Sequence, residues 1–312
     1  MTLQRFNFKP GIHKEGTDYS NEGHFFDASF IRFRSGFPEK VGGWTKKYIS
    51  SFVGVCRKIK QWAANDGLRF IALGTTKKTY IISGNTFIDV TPIRSTTSAG
   101  DATFAASDGS STLTVTETGH GAALGDFVTF SGAATLGGLI TAEVLNQEYE
   151  IASITSANAF TITAKDTTGS AVTANASDSG NGGGSTVAAY QINIGLDVAV
   201  PGGGWSSGPW DDGTWGTASG NTVTNSLRLW SLDNFGEDLL LNARLGAIFL
   251  WDKTNTTVRA KELSTITNAS NPPSEVLQIV VSTQDRHVLA IGCNPIFESN
   301  LDPMQIRWCT QE

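Results

Sequence analysis

Short apolar or alternating runs, separated by Gly, Asn and Asp, recur along most of this chain. Arg69–Gly74 is followed by Thr79–Ser83 and, across Gly84-Asn85, by Thr86–Val90. A two-residue Gly-Asn step between such runs signals a β-hairpin. With Val53–Trp62 in front, the runs make a first pass of four predicted strands. A second pass follows at Leu227–Ser231, Asp238–Asn242, Ala247–Trp251 and Val258–Leu263, and a third at Val276–Ser282, Arg286–Ile291 and Gln305–Cys309. The second strand of each pass is the most apolar: Phe70–Gly74, Leu239–Asn242, Val288–Gly292. Antiparallel units that repeat in this way predict an all-β protein with a β-propeller-like body. The third pass stops short at Cys309–Glu312, so its blade is expected to be incomplete within this chain, with further chain or other subunits closing the structure.

Between the first two passes the pattern changes. Ser111–Thr116 alternates at the strand period, as do Phe127–Phe130, Glu148–Ile154 and Ala159–Ala164, with turn signals at Gly119-His120-Gly121, Gly125-Asp126 and Gly137-Gly138. An inserted small β-sandwich (Ig-like) domain is expected over 95–176. Residues 177–225 read as a Gly/Trp-rich linker and loop, with Ser177–Ser185 flexible. The five-residue spacing of Trp205, Trp210 and Trp215 suits neither a helix nor a strand face. These loop aromatics are expected to pack on another surface, or alternatively to stack on sugars. Residues 1–48 are rich in aromatics and punctuated by Pro10-Gly11, Gly23, Gly36-Phe37-Pro38 and Gly42-Gly43. They predict an extended N-terminal docking arm or, alternatively, a strand set that completes the body. The first blade then spans 49–94 and the further blades 226–312.

Charge sharpens the picture of the arm. Residues 1–60 hold 11 Lys and Arg against 5 Asp and Glu, so within a net charge of −6 the remaining residues carry −12. A basic arm on an acidic body suits docking onto an acidic partner or nucleic acid. Phe6, Phe8, Phe25, Phe26, Phe33 and Trp44, with Arg32 and Arg34, are the candidate docking residues. The three cysteines form no CxxC pair and read as reduced thiols of a protein made in a cytosol. Neither a signal-peptide core nor a run of about 18 apolar residues occurs.

Catalytic patterns are scarce. His13, His24, His120 and His287 are scattered, and the first two, beside Glu15, Asp18, Glu22 and Asp27, lack a fixed element to hold a metal. There is no Walker loop and no GxGxxG opening a helix. Asp211-Asp212-Gly213 reads as a surface turn, and the neighbouring carboxylates Glu237-Asp238 would face opposite ways on a strand. Neither an enzyme nor a cofactor or metal site is expected.

Several phrases carry a family resemblance. They are Pro10-Gly11-Ile12, Glu22-Gly23-His24-Phe25, the run Ile31–Trp44 (IRFRSGFPEKVGGW), Leu229-Trp230-Ser231 with Asp233–Asn242, and Asp285-Arg286-His287-Val288 with Gly292-Cys293-Asn294-Pro295. Together they resemble the tail-nozzle or packaged-DNA-stabilisation proteins of short-tailed bacteriophages (podoviruses). The inserted domain is similar to the immunoglobulin-like modules of phage structural proteins. The resemblance implies a β-propeller virion subunit, made in the bacterial host cytoplasm and assembled as a homo-hexamer beneath a tail adaptor, with fibre, spike or needle proteins nearby. Double-stranded DNA would pass through its lumen without sequence-specific binding, past an acidic wall that repels phosphates. No catalytic residue is implied. The competing expectation is a carbohydrate-binding or receptor-binding tail component.

Overall fold

The computed structural model of the chain describes residues 8–43, 45–47, 51–198, 227–256, 258–282 and 284–310. It comprises two compact units, Met1–Ser51 and Phe52–Glu312. In the first, β1 (Ile31–Arg34) and β2 (Phe37–Lys40) form an antiparallel hairpin. Its two-residue turn holds Ser35 and Gly36 at φ +51° and +84°, the left-handed pair that matches strand twist.

The second unit is all-β apart from one short helix and two 3-10 turns among its described residues. A first meander runs through β3 (Cys56–Ala63), β4 (Arg69–Thr75), β5 (Thr79–Ser83) and β6 (Thr86–Asp89), all antiparallel and in chain order. The Ser83–Thr86 pair closes the turn at Gly84-Asn85. An inserted segment follows, with β7 (Ile93–Thr96), β8 (Thr103–Ala106), β9 (Thr112–Thr116) and β10 (Phe127–Ser131). It continues through helix α1 (Ala142–Leu145), β11 (Glu148–Glu150), β12 (Ser153–Ser156), β13 (Ala159–Thr163) and β14 (Val187–Gln191). A second meander comprises β15 (Trp230–Phe235), β16 (Asp238–Ala243), β17 (Ile248–Trp251) and β18 (Lys261–Glu262). A third comprises β19 (Val276–Val281), β20 (Val288–Cys293) and β21 (Asp302–Trp308).

The three meanders stack as blades. Trp62, Phe70, Ala72 and Ile81 of the first share a core with Leu239, Leu241, Phe249 and Trp251 of the second. The alternate residues of the second, Leu240 and Ile248, share another core with Val276, Ile279, Val281 and Val288 of the third. The middle sheet is therefore buried on both faces. That is why β16 reads as continuous Leu-Leu-Leu where a half-exposed strand would alternate. The first strands of the blades are neighbours, β15 lying against both β3 and β19. Asp233 on β15 ties them together, accepting from Lys60 Nζ at 2.6 Å and from the Val281 N–H at 2.9 Å. Sheets that meet along their first strands and share faces in sequence have the β-propeller type of arrangement.

The insert is a two-layer sandwich. One sheet has the order β11-β10-β14-β7 and the other β12-β13-β9-β8. Their facing residues, among them Phe104, Val115, Val128, Phe130, Phe160 and Tyr190, build a single core. The strands at its two ends, β7 and β14, pair with each other, so the insert leaves and rejoins the blades at one place. The sandwich runs past residue 176, because β14 fills the gap between β10 and β7. Ser177–Ser185 differs from the flexible linker expected of a Gly-rich stretch. The buried Asp178 carboxylate accepts the N–H groups of Asn175, Gly138, Leu139 and Ile140 at 2.7–3.2 Å. Asn181 and Gly182 carbonyls accept from Phe104 and Ala134. The run Glu148–Ile154 also divides, β11 joining one sheet and β12 the other.

Candidate interaction surfaces

The most enclosed polar site lies where blades and insert meet. Lys78, on the turn between β4 and β5, is 4% exposed. Its ammonium contacts Asp89 at 2.9 Å and Glu148, the latter from the insert. Arg259, just before β18, reaches the same two carboxylates at 3.1 and 2.9 Å. Thr91 donates to Asp89 at 2.6 Å, Gln191 donates to Glu148, and the Phe127 ring lies 4.4 Å from Lys78 Nζ. Two cations and two anions thus satisfy one another across three modules. Burial pushes the Asp89 carboxyl up, but Lys78 and Arg259 outweigh it and hold the group below its ordinary value. This is a clamp: its charges are engaged with each other and present no free group to a substrate. Nothing in the sequence pattern marked it, because Asp89 and Arg259 lie 170 positions apart.

A second polar cluster sits inside the sandwich. Tyr190 donates its hydroxyl to Glu117, while Arg94 lies 5.1 Å from the Tyr190 ring. Burial raises Glu117 above the usual carboxylate range, against the Tyr190 hydrogen bond, and lifts Tyr190 well above an ordinary phenol. His120 bridges its own loop, accepting from the Ala122 N–H at 3.0 Å and meeting the Ser156 carbonyl at 3.1 Å. These groups fasten the sandwich internally.

Between the second and third blades lies a cleft of about 610 Å³, lined by Leu263, Pro272, Pro273, Val288, Arg307 and Cys309 among others. The guanidinium of Arg307 is spoken for, donating to the carbonyls of Asn294 at 3.0 Å and of Asn271. Among the described residues no three His, Cys, Asp or Glu converge to hold a metal.

Of the residues singled out from the sequence, the arm brings some together. Phe25 contacts both Phe8 and Phe33, with ring centroids 5.5 and 5.3 Å apart. Phe26, Phe30 and Phe37 remain exposed. Arg32 pairs with Glu39 across the hairpin at 3.1 Å, and Arg34 is exposed. Phe6, Trp44 and the three loop aromatics Trp205, Trp210 and Trp215 lie outside the described residues.

No protein-family model and no curated protein matches the chain. Among solved structures, a Phage phi92 endosialidase is similar at a TM-score of 0.23 and 15% identity, over 87% of this chain. The chain spans about 40% of the length of that protein. So loose a likeness carries no argument, and the fold class rests on the sheets described above.

Proposed function

We propose that the chain is a structural subunit of a short-tailed bacteriophage tail, a nozzle protein whose ring extends the DNA channel, retains the packaged genome and conducts it on ejection. The observation that carries this reading is the β-propeller type of blade stack with a sandwich inserted between its first two blades. The sequence phrases at Ile31–Trp44 and Asp233–Asn242 support the same family. On this reading the subunit is a virion component without catalytic activity, in a six-fold ring below a tail adaptor. Duplex DNA slides past its net-acidic body, since like charge keeps phosphates from sticking. The arm, residues 1–48, docks on a neighbouring tail protein through its exposed aromatics.

The test is assembly. Protein lacking residues 1–48 is expected to stay soluble and to be missing from purified tails, as read by mass spectrometry of virions. Normal incorporation would refute the docking role. Saturable binding on a glycan array would favour the sugar-binding alternative through Trp205, Trp210 and Trp215.

A further inference from the structure

His13 and His24 stand apart in the sequence, and nothing in its pattern provides an element to hold them together. The structure supplies one. Residues 9–13 and 23–25 run side by side, with Ile12 bridged in parallel to Phe25. The Lys9 N–H donates to the Gly23 carbonyl at 2.8 Å, and the His13 N–H to the Phe25 carbonyl at 2.9 Å. The His24 N–H closes a turn onto the Asn21 carbonyl at 2.9 Å. These bonds bring the two imidazoles to a centroid separation of 4.4 Å, with 55° between their planes. At that tilt the rings are neither stacked nor edge-on. The Nδ1 atom of His24 is shut off from solvent and has no hydrogen-bond partner, whereas His13 is exposed and its ring is able to turn.

Two imidazoles that share one ion at about 2.0–2.1 Å from each nitrogen hold their ring centres about 4.5–5 Å apart. The pair stands within a small side-chain rotation of that spacing. Charge suits a cation as well: residues 9–27 hold Lys9 and Lys14 against Glu15, Asp18, Glu22 and Asp27. Desolvation, followed by the His13 and Lys9 charges, lowers His24 from its ordinary value, so its ring stays in the unprotonated form that a metal takes. The unit also has little else to hold its shape. None of its described residues is fully buried, and its packing centres on Phe8, Phe25 and Phe33. All three cysteines lie beyond it. Chains too small to build a core usually depend on disulfides, metals or partners.

We propose that His13 and His24 bind one divalent late transition ion, zinc above all, which staples residues 9–13 to residues 21–25. Imidazole nitrogen suits zinc, nickel and copper alike. Among the described residues no third His, Cys, Asp or Glu joins the pair. Water therefore completes the coordination, and the ion is held less tightly than in a four-ligand structural site. The ion gives the orphaned His24 Nδ1 a partner and ties together two segments otherwise joined by a few backbone bonds. The inference goes beyond the tail reading and does not need it. Failure to bind zinc would leave the virion role to its own test.

The experiment is isothermal titration calorimetry of the full, tag-free chain with zinc chloride, alongside His13→Ala and His24→Ala. Wild type is expected to take up a single ion per chain. Each variant should bind more than about tenfold more weakly, since even a residue behind a metal ligand is typically worth that much. Uptake should fall as the pH drops, because protons compete for the nitrogens. Hydrogen exchange reads the staple itself. At a zinc concentration about 100 times the dissociation constant, amides of residues 9–25 should exchange up to about 100-fold more slowly. His24→Gln, which keeps a polar side chain of similar size, should show no such slowing. No saturable uptake by wild type, uptake unchanged in either alanine variant, or uptake without slower exchange would each overturn the proposal.

Discussion

A methyl group on Gly74 would lie 2.5 Å from the indole of Trp230, far inside contact distance. The glycine is thus what lets the first strand of the second blade approach β4, where Trp230 Nε1 donates to the Thr75 carbonyl at 2.7 Å. Gly74→Ala should cost about 1–3 kcal/mol through overpacking, read as a lower urea midpoint with an unchanged m-value. Lys78 presents the opposite case, a buried charge kept tolerable only by its partners. Lys78→Ala leaves Asp89 and Glu148 facing each other with Arg259 alone, and removing one partner of a buried pair typically costs about 3–5 kcal/mol. Urea denaturation of that variant checks the figure; a loss below about 1 kcal/mol would show the clamp to be dispensable. From sequence, Gly74 was legible as the end of an apolar run but not as a contact, because Trp230 stands more than 150 positions away. Lys78 was not legible at all: its polar neighbours Lys77 and Thr79 look like any turn.

At the scale of elements, alternation and turn chemistry mark strands that make local hairpins. β4, β5 and β6 start where the runs at Arg69, Thr79 and Thr86 start, because Gly84-Asn85 sets their register. What alternation cannot show is which sheet a strand joins. Glu148–Ser156 keeps its pattern while changing layers between β11 and β12. β14 is short and rich in Ala, and it is stabilised by long-range pairing with β10 and β7 more than by its own propensity. The Gly-rich stretch before it is ordered by one carboxylate, Asp178. Burial pushes that carboxyl up, but the four N–H groups it accepts outweigh this and hold it below its ordinary value. A carboxyl whose folded value is depressed stabilises the fold above its unfolded value, and that stability is lost as the pH falls. The sandwich should therefore loosen as the pH falls below the ordinary carboxyl value, and Asp89 acts in the same sense at the clamp. Asp178→Ala should remove part of this acid dependence and speed amide exchange at Gly138, Leu139 and Ile140, as hydrogen exchange would report. Unchanged protection there would contradict the role given to Asp178.

For the whole molecule, the middle blade explains the stability of the stack. Residues such as Trp251 and Leu240 sit in dry cores on opposite faces of one sheet, each side chain contributing about 1.5–3 kcal/mol when fully buried. Trp308 and Ile59 have the same chemistry and remain exposed. The clamp at Lys78 fixes the sandwich to the blades, so the second unit should unfold in a single transition, with tryptophan fluorescence and far-UV circular dichroism coinciding; separate transitions would show that the insert is independent. The repeat was readable in the sequence because each pass repeats one order of apolar and polar strands. The sharing of faces between passes was not, since it depends on how the sheets stack. The central claim is that such stacks join into rings around a channel, and electron microscopy of the purified chain tests it most directly. Closed rings with a central channel are predicted; isolated particles of 33.2 kDa, or open filaments, would contradict it.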